Sequence, residues 1–102
     1  LMYTAVEAGQ VDVISAYSTD GRVAAYDLVL LEDPRQALLS YDAMLLASSA
    51  AAQNPRFAAA LAPVLGAISD EAMREANKMV DVEGRPVSEA VAYLQAIIDK
   101  PN

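Results

Sequence analysis

The sequence predicts an α/β chain, rich in helix, with two or three short strands and three to four C-terminal helices. Two observations carry that expectation. Val11 to Tyr17 and Leu28 to Leu31 are apolar runs of strand length, bounded by turn-forming or acidic residues. From Asn54 onward, apolar residues recur at helical spacing between capping signals.

Tyr3 to Ala8 reads as the last turns of a helix, stopped by Gly9. In the strand candidate that follows, Val11, Val13, Ser15 and Tyr17 share one face, and Asp12, Ile14 and Ala16 the other. Ser18-Thr19-Asp20-Gly21 is a turn, and Ser18, Thr19 or Asp20 is placed to cap a short helix through Ala25. Leu28 to Leu31 is apolar throughout, as in a strand covered on both faces, and Asp33-Pro34 ends it. Gln36 to Ala52 stays open. Its leucines, methionine and alanines are good helix formers.

Asn54-Pro55 is a cap followed by proline at the first helical position. Phe57, Leu61, Val64, Leu65 and Ile68 continue at helical spacing, and Pro63 should kink or end that run. Ser69-Asp70-Glu71 starts the next helix with acids at the positive end of its dipole. Its expected buried stripe is Ala72, Met73, Ala76, Met79 and Val80. After the loop Val82 to Pro86, Ser88 is expected to cap a last helix that turns Ala90, Val91, Leu94, Ile97 and Ile98 inward. Pro101 closes the chain.

The 102 residues fit one small domain, residues 1–102, with one modest core. No apolar stretch approaches the roughly 18 residues that span a bilayer, and Leu1 to Ala5 carries no signal-peptide pattern. A formal charge of −7 disfavours nucleic acid and anionic membrane surfaces, and is compatible with a cationic or zwitterionic ligand. There is no cysteine and no histidine. The thiolate nucleophile, the usual general base and the commonest metal ligands are therefore missing, and no cofactor or metal is expected. Asp20 and Asp42 have no catalytic company; capping and turn chemistry account for both. The four glycines form no phosphate-binding pattern.

Two motifs point elsewhere. Ala16-Tyr17-Ser18-Thr19-Asp20-Gly21 follows an apolar run, and Leu39-Ser40-Tyr41-Asp42-Ala43 follows a second one. The first closely resembles the substrate-binding proteins of ABC transporters for glycine betaine, choline and related osmoprotectants. The second matches less well, because that family has aromatic and proline residues where this chain has Leu38, Leu39 and Ser40. The resemblance continues through Ile68 to Asn77, Val80 to Pro86 and Ser88 to Asp99. It corresponds to the family's C-terminal part.

The resemblance implies a type 2 periplasmic-binding fold of two lobes. Residues 1–33 would supply the last strand of one lobe and the crossover, and 54–102 the helical part of the other. It also implies a strand at Ala43 to Leu46, a non-enzymatic role, a periplasmic or extracytoplasmic location and an ABC permease as partner. The implied ligand residues are Tyr17 and Tyr41, with Ser18 and Thr19 able to meet a carboxylate. A trimethylammonium head donates no conventional hydrogen bond, so ring faces hold it, each contact worth on the order of 0.5–2 kcal/mol. Tyr26 is expected at the hinge, and Tyr3 and Tyr93 in helix packing. Strands without sheet neighbours would expose edges and faces. The isolated chain is thus expected either to pair with itself, as a homodimer, or to repack into a helix-rich domain.

Overall fold

The computed structural model describes residues 1–100; Pro101, read above as the closing residue, lies outside them. Among the described residues there are six helices and no strand. They are α1 (Met2–Glu7), α2 (Gly21–Ala25), α3 (Ser49–Ala52), α4 (Pro55–Leu61), α5 (Asp70–Asp81) and α6 (Val87–Ile98).

This corrects the α/β expectation. Val11 to Tyr17 and Leu28 to Leu31 take no regular secondary structure, and neither finds a partner strand. Ala43 to Leu46 is neither strand nor helix. The physical reason is non-local. A strand is held by hydrogen bonds and side-chain pairs across a sheet, and a lone apolar run supplies only one half of each. Val13, Val29 and Leu31 consequently lie exposed.

The helices formed where local chemistry specified them. Gly9 ends α1 at φ +66°, a conformation that costs glycine little. Asn54 accepts a hydrogen bond from the Arg56 amide at 3.0 Å, and Ser69 accepts one from the Ala72 amide at 3.2 Å. α4 ends at Leu61, two residues before Pro63. Two details differ from expectation. The cap of α6 is Pro86 rather than Ser88, which sits inside the first turn. Asp20 is the N-cap of α2, but its carboxylate makes no capping bond because Tyr3 holds it instead.

The core centres on α5, against which α2 and α6 both pack, while α3 packs on α4. Its buried apolar residues are Tyr3, Val23, Ala72, Ala76, Met79 and Ala90. On α6 the contact is narrower than the five-residue stripe expected, with Ala90 buried and Val91 exposed. A compact monomer of this mass would expose roughly 5,500 Å²; this chain exposes 8266 Å². Its radius of gyration, 16.9 Å, likewise exceeds the about 13 Å of a compact chain of this length. The apolar segments between Leu28 and Leu46 contribute to the excess, because Val29, Leu31, Leu38, Leu39 and Leu46 stay exposed rather than joining the core.

Candidate ligand-binding site

The two tyrosines singled out from the sequence lie together. The rings of Tyr17 and Tyr41 have centroids 6.0 Å apart and planes at 81°, an edge-on arrangement that matches their opposite electrostatics of edge and face. Near-perpendicular planes leave a corner walled by two ring faces. Both rings are largely exposed, so those faces are open to a solute. Asp42 adds a carboxylate next to Tyr41 in the chain, and Ser40 donates its hydroxyl to it at 2.6 Å. The corner therefore offers π faces, the feature that holds a soft cation.

The corner is open rather than enclosed. A shallow hollow of about 530 Å³ is lined by Asp33, Gln36, Leu38, Leu39 and Ser40, and includes neither ring. Asp33 shapes the loop before Tyr41. Its carboxylate accepts from the Leu38 amide at 2.8 Å. That bond, with others from the Ala37, Arg35 and Gln36 amides, holds its pKa below the ordinary aspartate value.

Tyr17 is carried by a tight turn. The Asp20 amide donates to the Tyr17 carbonyl at 3.1 Å, which makes Ser18 and Thr19 the central residues. Neither was brought to the ring corner by a side-chain bond. The Ser18 hydroxyl donates to Asp70 at 2.7 Å, and the Thr19 carbonyl accepts from Asn77 at 2.8 Å. Both contacts lead to α5. The sequence reading missed Arg74 and Asn77. The available signal was polar residues at 70, 74 and 77, which share one stripe of a helix otherwise apolar on its inner side.

On the other side of the turn, Tyr3 is buried and donates its hydroxyl to Asp20 at 2.6 Å. Tyr26 packs beside it at 6.5 Å, and the Arg22 guanidinium lies 5.7 Å from the centroid of its ring. Burial first, then the bond to Asp20 and its negative charge, push the Tyr3 phenol up to about 12. A folded-state value above the unfolded one favours the fold below the unfolded pKa, near 10, and that contribution is lost as pH rises through 12. In an alkaline titration followed by far-UV circular dichroism, the chain is expected to lose helix between those limits. Tyr3→Phe is expected to start about 1–2 kcal/mol less stable and to show a flatter loss across that window.

A family-wide profile described as the substrate binding domain of ABC-type glycine betaine transport systems matches residues 1–95. The chain belongs to this family. It is 38% identical over 82 residues to the carnitine transport binding protein OpuCC of Listeria monocytogenes, a match that covers 79% of this chain and 27% of the relative. It is 31% identical over 84 residues to the glycine-betaine-binding protein of Pseudomonas aeruginosa, covering 81% of this chain and 27% of that one. The chain thus spans about a quarter of the length of the curated relatives it matches. No solved structure matches it. The family and both relatives are described as substrate- or solute-binding proteins. Among the described residues, no helix is long and apolar enough to cross a membrane.

Proposed function

We propose that this chain supplies part of the solute site of an ABC-transporter binding protein for quaternary-ammonium osmoprotectants such as glycine betaine, carnitine or choline. The observation that supports it best is the Tyr17–Tyr41 corner, two exposed rings at 6.0 Å and 81°. The rings take the trimethylammonium head. Ser18 and Thr19 enter the site through the turn that carries Tyr17. In the whole protein, residues 1–33 belong to the end of one lobe and its crossover, and 54–102 to the helical part of the other. Residues 34–53, irregular up to Ser48 and then helical in α3, separate them in the chain. The protein then works outside the cytoplasmic membrane and hands its solute to an ABC permease.

Two ring contacts alone make weak binding, millimolar at best on the order of 1–4 kcal/mol. NMR of isotope-labelled tyrosine rings reads such binding directly. Glycine betaine is expected to shift the Tyr17 and Tyr41 signals and to leave Tyr93 on α6 unmoved. Tyr17→Ala is expected to weaken binding roughly 2- to 30-fold, the value of one ring face. Signals of Tyr17 and Tyr41 that ignore tens of millimolar glycine betaine, carnitine and choline would remove this reading.

A further inference from the structure

We infer that Arg74 and Asn77 of α5, together with Asp70, are positioning residues that aim Tyr17 at the ring corner; the inference rests on the site proposed above. Three polar contacts cross from one stripe of α5 to the two central residues of the Tyr17 turn. The Arg74 guanidinium donates to the Ser18 carbonyl at 2.7 Å. The Asn77 side-chain amide donates to the Thr19 carbonyl at 2.8 Å. Asp70 accepts the Ser18 hydroxyl at 2.7 Å. Positions 70, 74 and 77 recur at intervals of four and three, so a single helix face holds consecutive peptide groups of the turn.

The clamp has the stiffness that a positioning role requires. Arg74 is itself largely buried and steadied by Glu71, 3.4 Å away. Both turn carbonyls sit immediately after Tyr17, and neither can rotate without breaking its bond to α5. Tyr17 itself makes no such bond through its side chain among the described residues, and its ring stays exposed. The ring direction is therefore set through the backbone it hangs from. A further restraint completes the arrangement, because Tyr3 holds Asp20, the last residue of the turn. A solute-binding ring that is aimed before the solute arrives loses less freedom on binding.

The test uses Arg74→Met, Arg74→Lys and Asn77→Asp in the full chain. Asn77→Asp keeps the shape but cannot donate to the Thr19 carbonyl. Labelled tyrosine rings report the aim of Tyr17, while Tyr93 and helical circular dichroism report the fold. Arg74→Met and Asn77→Asp are expected to move the Tyr17 and Tyr41 signals toward unfolded values, to leave Tyr93 in place, and to weaken glycine betaine binding about tenfold, the equivalent of 1.4 kcal/mol. Arg74→Lys, which retains a donor, is expected to recover most of the wild-type ring signal. Unchanged Tyr17 and Tyr41 signals in both disrupting variants overturn the inference. If Asn77→Asp loses its helix, the Arg74 pair decides. If wild-type rings ignore glycine betaine, the site reading fails, and the ring signals of the variants still decide whether α5 aims Tyr17.

Discussion

Gly21→Val is expected to detach α2 from α5 and to remove a large share of the chain's stability, about 3 kcal/mol or more. The reason is space and not backbone freedom. A Cβ at Gly21 would run into the Lys78 nitrogen and lie 2.7 Å from the Asn77 carbonyl carbon and the Lys78 Cα. These are backbone atoms of the central helix, so no side chain can swing aside. Relief requires α2 to move away, and Val23, buried two residues later, moves with it. Overpacking of this kind costs typically 1–3 kcal/mol and more when backbone must shift. A domain of this size has only about 5–10 kcal/mol in total, and this core is small. Even Gly21→Ala introduces the same Cβ. By contrast, a Cβ at Gly84 meets nothing within 4 Å, and the only cost there is its φ of +67°, about 1 kcal/mol. Urea denaturation of the three variants should rank them Gly84→Ala, Gly21→Ala, Gly21→Val in falling stability. A Gly21→Val protein with the wild-type midpoint contradicts the packing described.

The second large effect is self-association of the isolated chain. Val29 is 84% exposed and Leu46 89%, and Leu31, Leu38, Leu39 and Met44 lie exposed between them. Soluble monomers rarely leave so many large apolar side chains uncovered along one stretch of chain. Each large side chain that becomes buried contributes about 1.5–3 kcal/mol. The backbone at Val29 to Leu31 joins no ladder, so it also offers amides and carbonyls to a second copy. Opposing this is charge: each copy carries −7, and Glu32 and Asp33 flank the apolar run. Sedimentation at about 100 µM should therefore give a mass above 10.8 kDa, with association tightening as salt shortens the Debye length toward about 8 Å. Val29→Lys with Leu31→Lys should shift the population toward monomer. A wild-type chain that stays at 10.8 kDa at high salt would mean that these segments find cover within the chain.

What the sequence could reveal divides along the range of the interactions. Helix limits rest on neighbours a few residues apart, so Gly9, Asn54 with Pro55, and Ser69 were legible as termini. Strands rest on partners far away, and nothing inside Val11 to Tyr17 says whether a partner exists. The same limit explains the site. Tyr17 and Tyr41 were legible through the family resemblance of their motifs, and the structure brings their rings to 6.0 Å. Asp70, Arg74 and Asn77 did not stand out. Read locally, Asp70 is an acid at a helix start and Arg74 a surface charge. Their contacts reach back 52, 56 and 58 residues, a separation that no periodicity encodes. Ser88 failed as a cap for a smaller reason, since the first turn of α6 begins one residue earlier, with the Glu89 amide donating to the Pro86 carbonyl at 2.9 Å.

The claim on which the account stands is that ring faces at Tyr17 and Tyr41 select positive charge. Glycine betaine and tert-butylacetate share shape and carboxylate and differ only in a central nitrogen or carbon, so comparing them isolates that charge. Titrated into the chain with labelled tyrosine rings, glycine betaine is predicted to shift both signals, and tert-butylacetate to leave them nearly still. Equal shifts from both compounds, or none from either, would contradict it.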